Sequence, residues 1–553
     1  MHRHGFSNTA GHGMKTPAEY PEGAGPGSCR FGSGRLLPLL DNFEKEIGGV
    51  REGGDIEYIH RMRVASRRLR AALPLFAPCF PKKQYRLWIS EVRKVTRALG
   101  EARDADVQID FLRSYAKKLK RRDATTGRTS RSARSTDPLL REIGQFVTRM
   151  VKKRAGQQEQ VLGALTGLEQ SGVLRDMRTS LTGVAGDRGR SWRRACAAGI
   201  PGVAADRIAS GLGAFLSYEP YLSDPDAILE HHAMRIAAKK LRYTIEVYAP
   251  VYRLGLGKSL RRVKKVQEIL GDIHDCDVWI DLLAAMIVKQ RSRPRRGITD
   301  REDRHTLTGI RLFLHDRERR RQFLHRRLLQ YWGTLSRAGA WDELRTSLLA
   351  ARKSSFVFRE PADRERVRKQ ADEIAAEYPG IQDHSRHVTT LSLSFFDQTA
   401  QLHQLGGSDR ALLEYAGLLH DIGWKYGQRG HSSRSRDMIL RDERLPFDLP
   451  GRVIVGIAAR AHRKGFPPED DALYAVLPEP DQRSALILSA ILRFTDGLDY
   501  LHSSAVTGIG CSVTPDAITV TLEAGTDVST ERLRAETKSD LLARALKKTV
   551  EIR

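Results

Sequence analysis

A string of eleven residues, His60-Arg61-Met62-Arg63-Val64-Ala65-Ser66-Arg67-Arg68-Leu69-Arg70, returns as His232-Ala233-Met234-Arg235-Ile236-Ala237-Ala238-Lys239-Lys240-Leu241-Arg242. A second pair follows each: Leu99-Gly100-Glu101-Ala102-Arg103-Asp104-Ala105-Asp106-Val107, and Leu270-Gly271-Asp272-Ile273-His274-Asp275-Cys276-Asp277-Val278. The spacing is 172 residues for the first pair (60 to 232) and 171 for the second (100 to 271), so whole units are duplicated. At about 100° per residue, Met62, Ala65, Leu69, Ala72, Leu73 and Phe76 share one helical face, with His60, Arg63, Arg67 and Arg70 roughly opposite. Met234, Ala237, Leu241, Ile245 and Tyr248 repeat the stripe, opposite His232, Arg235, Lys239 and Arg242. Each copy is expected to be a helix with a core side and a cationic side.

Charged faces opposite apolar stripes are usually just solvated. Here the same positions are basic in both copies, the charge is of one sign, and few acids sit at helical spacing to neutralise it. Like charges packed this closely cost helix stability, and an anionic ligand would offset that cost. The whole chain leans the same way: 93 Lys and Arg against 67 Asp and Glu give a formal charge of +26. Such an imbalance speaks about partners, and nucleic acid, anionic membrane and inorganic polyphosphate are the candidates. Arginine dominates the motifs, which suits forked contacts to phosphate oxygens.

A chain of 553 residues exceeds one core, and 40% apolar content is enough for packed interiors. Cys29, Cys79, Cys196, Cys276 and Cys511 are scattered without a Cys-x-x-Cys pair, so reduced thiols in the cytoplasm are expected. There is no apolar run long enough for a membrane span, and no signal-peptide core. Residues 1–33, rich in Gly, His and Ser, read as disordered. From 34 to 340 the pattern is helical, in two repeats of about 34–170 and 200–340. Polar basic inserts at Lys117–Pro138 and Lys289–Arg304 read as exposed loops or frayed helix ends, and 341–360 as a linker. Asp104, Asp106, Asp275 and Asp277 could orient guanidinium groups or cap helices. No Gly-rich phosphate loop of Walker type occurs.

The repeated strings resemble the CHAD domain, the conserved-histidine α-helical domain, over about residues 34–340. The resemblance implies a pseudo-twofold pair of helical bundles whose basic cavity binds inorganic polyphosphate. It implies that His60, Arg63, Arg67, Arg68 and Arg70 line that cavity with His232, Arg235, Lys239, Lys240 and Arg242, and that Arg93, Arg97, Arg103 and Lys264 lie nearby. His274 stands where the first copy has Arg103, which is expected to make that position pH-sensitive near neutrality.

The second half has a different character. His420-Asp421 follows the apolar run 412–419, with His384 upstream and His431, His462 and Asp496 downstream. Imidazole nitrogens with carboxylate oxygens suit a divalent metal such as Mn, Mg, Fe or Zn. Such an ion could make water nucleophilic and neutralise phosphoryl oxygens. Any one of these histidines alone would be ordinary; the order His, His-Asp, Asp is what is specific.

Residues 361–553 resemble an HD-domain metal phosphohydrolase, within that superfamily the C-terminal domain of the exopolyphosphatase/guanosine pentaphosphate phosphohydrolase family. The strings are His384-Ser385-Arg386-His387-Val388, Leu419-His420-Asp421-Ile422-Gly423, Ala461-His462-Arg463-Lys464 and Leu492-Arg493-Phe494-Thr495-Asp496-Gly497-Leu498-Asp499. The resemblance implies that His384, His420, Asp421 and Asp496 ligate a first metal, that His431 and His462 complete a second site, and that His420 and Asp421 are the catalytic pair. Arg434 departs from the pattern, standing where a second histidine is common. The actin-like domains that carry the family's main chemistry are absent from this chain. Lys425, Arg460, Arg463 and Lys464 are candidate phosphate clamps.

The expected fold is mainly α, a CHAD pair of bundles followed by an all-helical HD domain with a small β tail near 517–522. The expected function is polyphosphate binding with metal-dependent hydrolysis of phosphoanhydride bonds, in the cytoplasm or at polyphosphate granules. Open alternatives are a non-catalytic polyphosphate-binding protein, a nucleotide phosphohydrolase acting on guanosine polyphosphates, and a nucleic-acid binder. The last is disfavoured because no aromatics interleave the basic rows.

Overall fold

A computed structural model describes residues 26–53, 55–125, 133–185, 200–252, 256–291, 300–351, 364–378, 380–442, 444–463 and 468–553. Packing divides the chain into two units, Met1–Ile200 and Pro201–Arg553.

In the first unit, α1 (Pro26–Glu44) and the short α2 (Ile47–Glu52) lead to α3 (Ile56–Ala72). Asp55 caps α3, its side chain accepting from the Glu57 N–H at 2.9 Å, which satisfies a free donor of the first turn. The helix gives way to a 3-10 segment, Leu73–Cys79, where Pro74 has no N–H to continue the ladder. The long helices α4 (Lys82–Thr125) and α5 (Ala133–Gln170) pack on each other, and α6 (Val173–Ala185) closes back on α1. Met62 and Leu69 are fully buried, as the apolar stripe requires.

The second unit repeats this order. Helices α7 (Ile200–Leu216), α8 (Ile228–Tyr248), α9 (Gly257–Arg291), α10 (Asp300–Arg337) and α11 (Ala340–Ala350) correspond to α1, α3, α4, α5 and α6. The duplication reaches individual contacts. A side chain on Gly100 would meet Arg63 Nε at 4.0 Å, and one on Gly271 would meet Arg235 Nε at 4.0 Å. Asp106 accepts from Arg154 at 2.8 Å in one copy, and Asp277 pairs with Arg321 in the other, both nearly buried.

After α11 the chain forms α12 (Arg364–Ala376), α13 (Gln382–Gln398), the one-turn α14 (Ala400–His403) and α15 (Gly407–Leu419). A 3-10 turn, Ile422–Tyr426, leads to α16 (His431–Arg441), then α17 (Leu449–Ala461) and α18 (Glu479–Gly497). Asp448 caps α17 by accepting from Gly451 N–H at 3.2 Å. Strands β1 (Val506–Val513) and β2 (Ala517–Ala524) form an antiparallel pair. Helices α19 (Ser529–Lys538) and α20 (Asp540–Leu546) then return the chain to β3 (Thr549–Ile552), parallel to β2, giving sheet order β1-β2-β3.

The mainly helical fold with a small β tail is as expected; several boundaries are not. Helix α1 begins at Pro26, inside the segment read as disordered, and 1–25 lie outside the described residues. Helix α11 occupies the first part of the supposed linker, with Trp341, Leu344, Leu348 and Leu349 buried. Helices α4 and α5 run into the first basic insert and α9 and α10 into the second, leaving only 126–132 and 292–299 undescribed. Of the two readings of these inserts, helix ends hold for the described parts. Cys29 and Cys79 form a disulfide (Cα–Cα 5.2 Å) where free thiols were expected. The two lie 50 residues apart, but α1 packs on the 3-10 segment and brings them into bridging range.

The second repeat and the C-terminal half share one compact unit. Arg436 on α16 donates to both oxygens of Asp471 (2.5 and 2.9 Å) and to Asp342 on α11 (3.2 Å). Farther along α16, Arg441 pairs with Glu219 at 2.6 Å, and the Leu449 N–H donates to Asp206 on α7 at 2.9 Å. Among the described residues no helix is long and apolar enough to cross a membrane.

Candidate metal centre

Helix ends build the site. His384 lies in the first turn of α13, His420-Asp421 directly follow α15, His431 opens α16, His462 follows α17, and Asp496 lies in the last turn of α18. The helix ends converge, so that all six side chains are buried where they meet. Gly423 permits the tightest approach, since a Cβ there would stand 2.2 Å from the His431 carbonyl oxygen. Any larger residue would push α16 away from the His-Asp pair.

The six predicted residues come together in two groups, His384 with His420 and Asp496, and Asp421 with His431 and His462, so Asp421, expected in the first set, lies with the second. Within each, the candidate ligand atoms all lie within 4.8 Å of one another. Asp496 Oδ1 is 3.3 Å from His384 Nε2 and 3.5 Å from His420 Nε2. Asp421 Oδ1 is 3.0 Å from His431 Nε2 and 3.5 Å from His462 Nε2. The His420 Nε2 to Asp421 Oδ2 distance of 3.7 Å joins the groups.

The other ring nitrogens are tied down. Nδ1 of His420 donates to the Gly417 carbonyl (2.6 Å), that of His431 to Gln428 (2.8 Å) and that of His462 to Ala459 (2.6 Å). Each acceptor is three residues back, in the last turn of α15 for His420 and of α17 for His462, and in the non-helical turn before α16 for His431. His384 Nδ1 donates instead to Asp499 at 2.7 Å. With Nδ1–H committed, neutral imidazole presents its lone pair at Nε2, the state a metal ligand needs.

The donor set fits a divalent cation. His431 and His462 bring their Nε2 atoms to 3.1 Å, lone pair toward lone pair, unless a proton or cation lies between. His420 Nε2 is buried without a hydrogen-bond partner. The local field is negative despite the basic chain. Burial alone would lower His384, yet Asp496 and Asp499 raise it to about 9, and burial is likewise overridden at His420 by Asp421 and Asp496. His462, where burial prevails, is pushed down to about 3. Burial works against ionised carboxylates too, but His420, His431 and His462 hold Asp421 below the usual range, and Lys538, His384 and His420 do the same for Asp496.

The centre opens into a cavity of about 520 Å³ lined by both carboxylates and by Trp424, Tyr500, Arg534 and Lys538, among others. Asp499, His502 and Lys538 were missed as functional candidates. His502, in a left-handed turn (φ 56°), stacks on His384 with ring centroids 3.8 Å apart. Lys538 pairs with Asp496 Oδ2. It is placed there by Gly497, where a Cβ would come within 2.9 Å of the Ala535 backbone, so α18 and α19 touch. Asp499 had a signal in its spacing, three residues after Asp496; Lys538 had none. Arg434 is a loop staple, donating to the carbonyls of Gly423 (3.2 Å), Gly427 (2.6 Å) and Arg429. Of the suggested phosphate clamps, Arg463 lines the cavity, Arg460 is held by Asp471 at 3.2 Å, Lys425 lies over the Tyr378 ring at 5.4 Å, and Lys464 lies outside the described residues.

Each basic row keeps the faces read from its sequence. In the first, His60, Arg63 and Arg67 are half-buried and Arg68 and Arg70 exposed, with Arg63 paired to Asp104 at 2.7 Å. On α4, Arg93 and Arg97 are exposed and Arg103 half-buried. In the second, His232, Arg235, Lys239 and Arg242 are half-buried and Lys240 exposed, while Lys264 on α9 is exposed and near Glu268. His274 faces His232 with their Nδ1 atoms 3.1 Å apart. Burial and then Arg235 push His274 down to about 4. It is therefore neutral near pH 7, contrary to the expectation of titration there.

A CHAD domain model matches residues 35–284, and the model of Ppx/GppA phosphatase, domain III, matches residues 367–540. The chain joins a CHAD domain to a Ppx/GppA phosphatase domain III. No curated protein matches it. The CHAD match spans both basic rows, and all six clustered His and Asp residues fall within the Ppx/GppA domain III match. Together the two domains point to polyphosphate-related substrates.

Proposed function

We propose that the protein binds inorganic polyphosphate on the basic rows of its CHAD domain and hydrolyses phosphoanhydride bonds at a divalent-metal centre in its C-terminal half. The observation that carries this reading is the set of four histidines with Nδ1 tied to fixed acceptors and Nε2 turned toward two carboxylates. His384, His420 and Asp496 would hold one ion, and Asp421, His431 and His462 a second. A divalent ion there supplies Lewis acidity toward phosphoryl oxygens and makes water a stronger acid. Asp499 and the three backbone carbonyls fix the tautomers, so the ligands need not reorganise when the ion binds. Asp421, at the junction of the two groups, orients the nucleophile together with His420. Polyphosphate held in the cytoplasm or on polyphosphate granules is the natural substrate pool for such a pairing.

The test is incubation of purified protein with long-chain polyphosphate and Mn²⁺ or Mg²⁺, with orthophosphate release and bound metal measured together. Metal-dependent release with metal retained after dialysis is expected. A protein that binds polyphosphate, retains no metal and releases nothing would leave only the capture role.

Capture should also respond to acid. His232 and His274 are both held below the ordinary 6.5, by burial and then by Arg235, with Lys239 adding to the repulsion and Asp277 opposing it at His232. A bound polyanion favours their protonated forms, so binding takes up protons. Affinity should rise as pH falls from about 6.5 toward about 4. Short-chain polyphosphate titrations at pH 7 and pH 5 would show this, and the double His232→Gln, His274→Gln variant should flatten the response.

A further inference from the structure

We propose that helix α19 supplies the centre with a phosphate ladder, in which Lys538 and Arg534 bind successive phosphoryl groups of an anhydride chain entering end first. The inference rests on the metal-centre reading above and adds to it the residues that select a chain over a phosphate monoester. The two side chains stand one helical turn apart, at i and i+4, and so share one face of α19. Both line the cavity, with Thr537 beside them.

Their surroundings differ in a graded way. Lys538, half-buried, reaches Asp496 Oδ2 at the inner end, while Asp496 Oδ1 faces His384 and His420. An ion held by Oδ1 and a phosphoryl group beside it would lie within reach of the ammonium. Arg534 is exposed, with its guanidinium 4.2 Å from the Tyr500 ring centroid. It makes no ion pair among the described residues, and the ring holds it in place without neutralising it. The cavity is also lined by Arg463, likewise without an ion pair among the described residues. Among the described residues, the acids lining the cavity are Asp421 and Asp496.

This charge layout discriminates. A monoester brings one phosphoryl group, which the metal ligands and Lys538 can already satisfy. Arg534 and Arg463 are then left facing water, and only further phosphoryl groups give them partners. Binding energy from groups remote from the reacting bond is what separates a chain substrate from a short one.

Site-resolved arginine modification tests this on the full chain. With Mg²⁺ present, phenylglyoxal labelling of Arg534 is followed by peptide mapping, with inorganic tripolyphosphate or orthophosphate in large excess. Peptide resolution separates this site from the basic rows of the CHAD domain. Tripolyphosphate is expected to slow Arg534 labelling at least about tenfold, the scale of one charge-assisted hydrogen bond, with orthophosphate changing it less than about twofold. Equal labelling with and without tripolyphosphate, or equal protection by both anions, overturns the proposal. Protection without phosphate release would support the ladder while removing hydrolysis; release without protection would remove the ladder alone. As a second readout, Arg534→Gln is expected to raise KM for tripolyphosphate about tenfold, and Lys538→Arg to preserve chain binding where Lys538→Gln loses it.

Discussion

Asp421→Asn is expected to lower metal affinity by at least about 100-fold and to bring polyphosphate hydrolysis to background, while the protein stays folded. The estimate starts from residues behind the ligands, whose loss commonly costs about 10–100-fold in affinity or activity. A direct ligand at the junction of two metal groups should exceed that. Asn is close in shape to Asp, so the packing around a nearly buried side chain is kept. What is lost is the negative charge opposing His420, His431 and His462. Asp499→Asn provides the graded comparison. It leaves His384 in place but weakens the acceptor at Nδ1, so a loss within about 10–100-fold is expected. Metal content after dialysis, measured beside phosphate release, checks both. Unchanged metal binding and release in the Asp421 variant would mean that the six residues are not the centre.

The second large effect concerns stability. Arg436→Met should destabilise the unit formed by residues 201–553 by about 3–5 kcal/mol, the usual cost of stranding one partner of a buried ion pair. Arg436 is 4% exposed and Asp471 1% exposed, and the pair is bidentate. Burial alone would lower the Arg436 pKa; Asp471 and Asp342 keep it raised. Without the guanidinium, Asp471 keeps the Leu473 N–H on Oδ1 at 3.0 Å and, as its one remaining cation among the described residues, Arg460 at 3.2 Å, while Asp342 keeps Arg345 at 2.8 Å. Chemical denaturation monitored by circular dichroism would report the loss. Adding Asp471→Asn to Arg436→Met should recover part of it, because the stranded charge is then gone. A single variant as stable as the parent would show that the network is strained or hydrated.

The basic rows and the His-Asp set were legible in sequence because each repeats a pattern over a short span. Helical periodicity fixed which faces of 60–70 and 232–242 carry charge, and the order His384, His420-Asp421, Asp496 picked out residues that the structure gathers into two groups able to hold a metal, though not that Asp421 sits with His431 and His462. Residues whose role depends on contact between distant elements were not legible. Lys538 is an ordinary last-turn helix lysine until Gly497 lets α19 close on α18. Arg436 reads as a solvated charge, yet it is buried, because the acids that complete it lie on α11 and after α17. The Cys29–Cys79 pairing likewise required the packing of α1 on the 3-10 segment.

Helix α16 begins with His431 and is fastened near its other end through Arg436 and Arg441 to the second repeat. A truncation that starts at residue 361 would therefore deprive Arg436 of Asp342 and Arg441 of Glu219, baring salt-bridging residues on the very rod that carries His431. The smallest fragment worth cloning for work on the centre begins near residue 200. The two copies of the duplication have thus become unequal: one is bound up with the C-terminal half, and the other is left as its own packing unit.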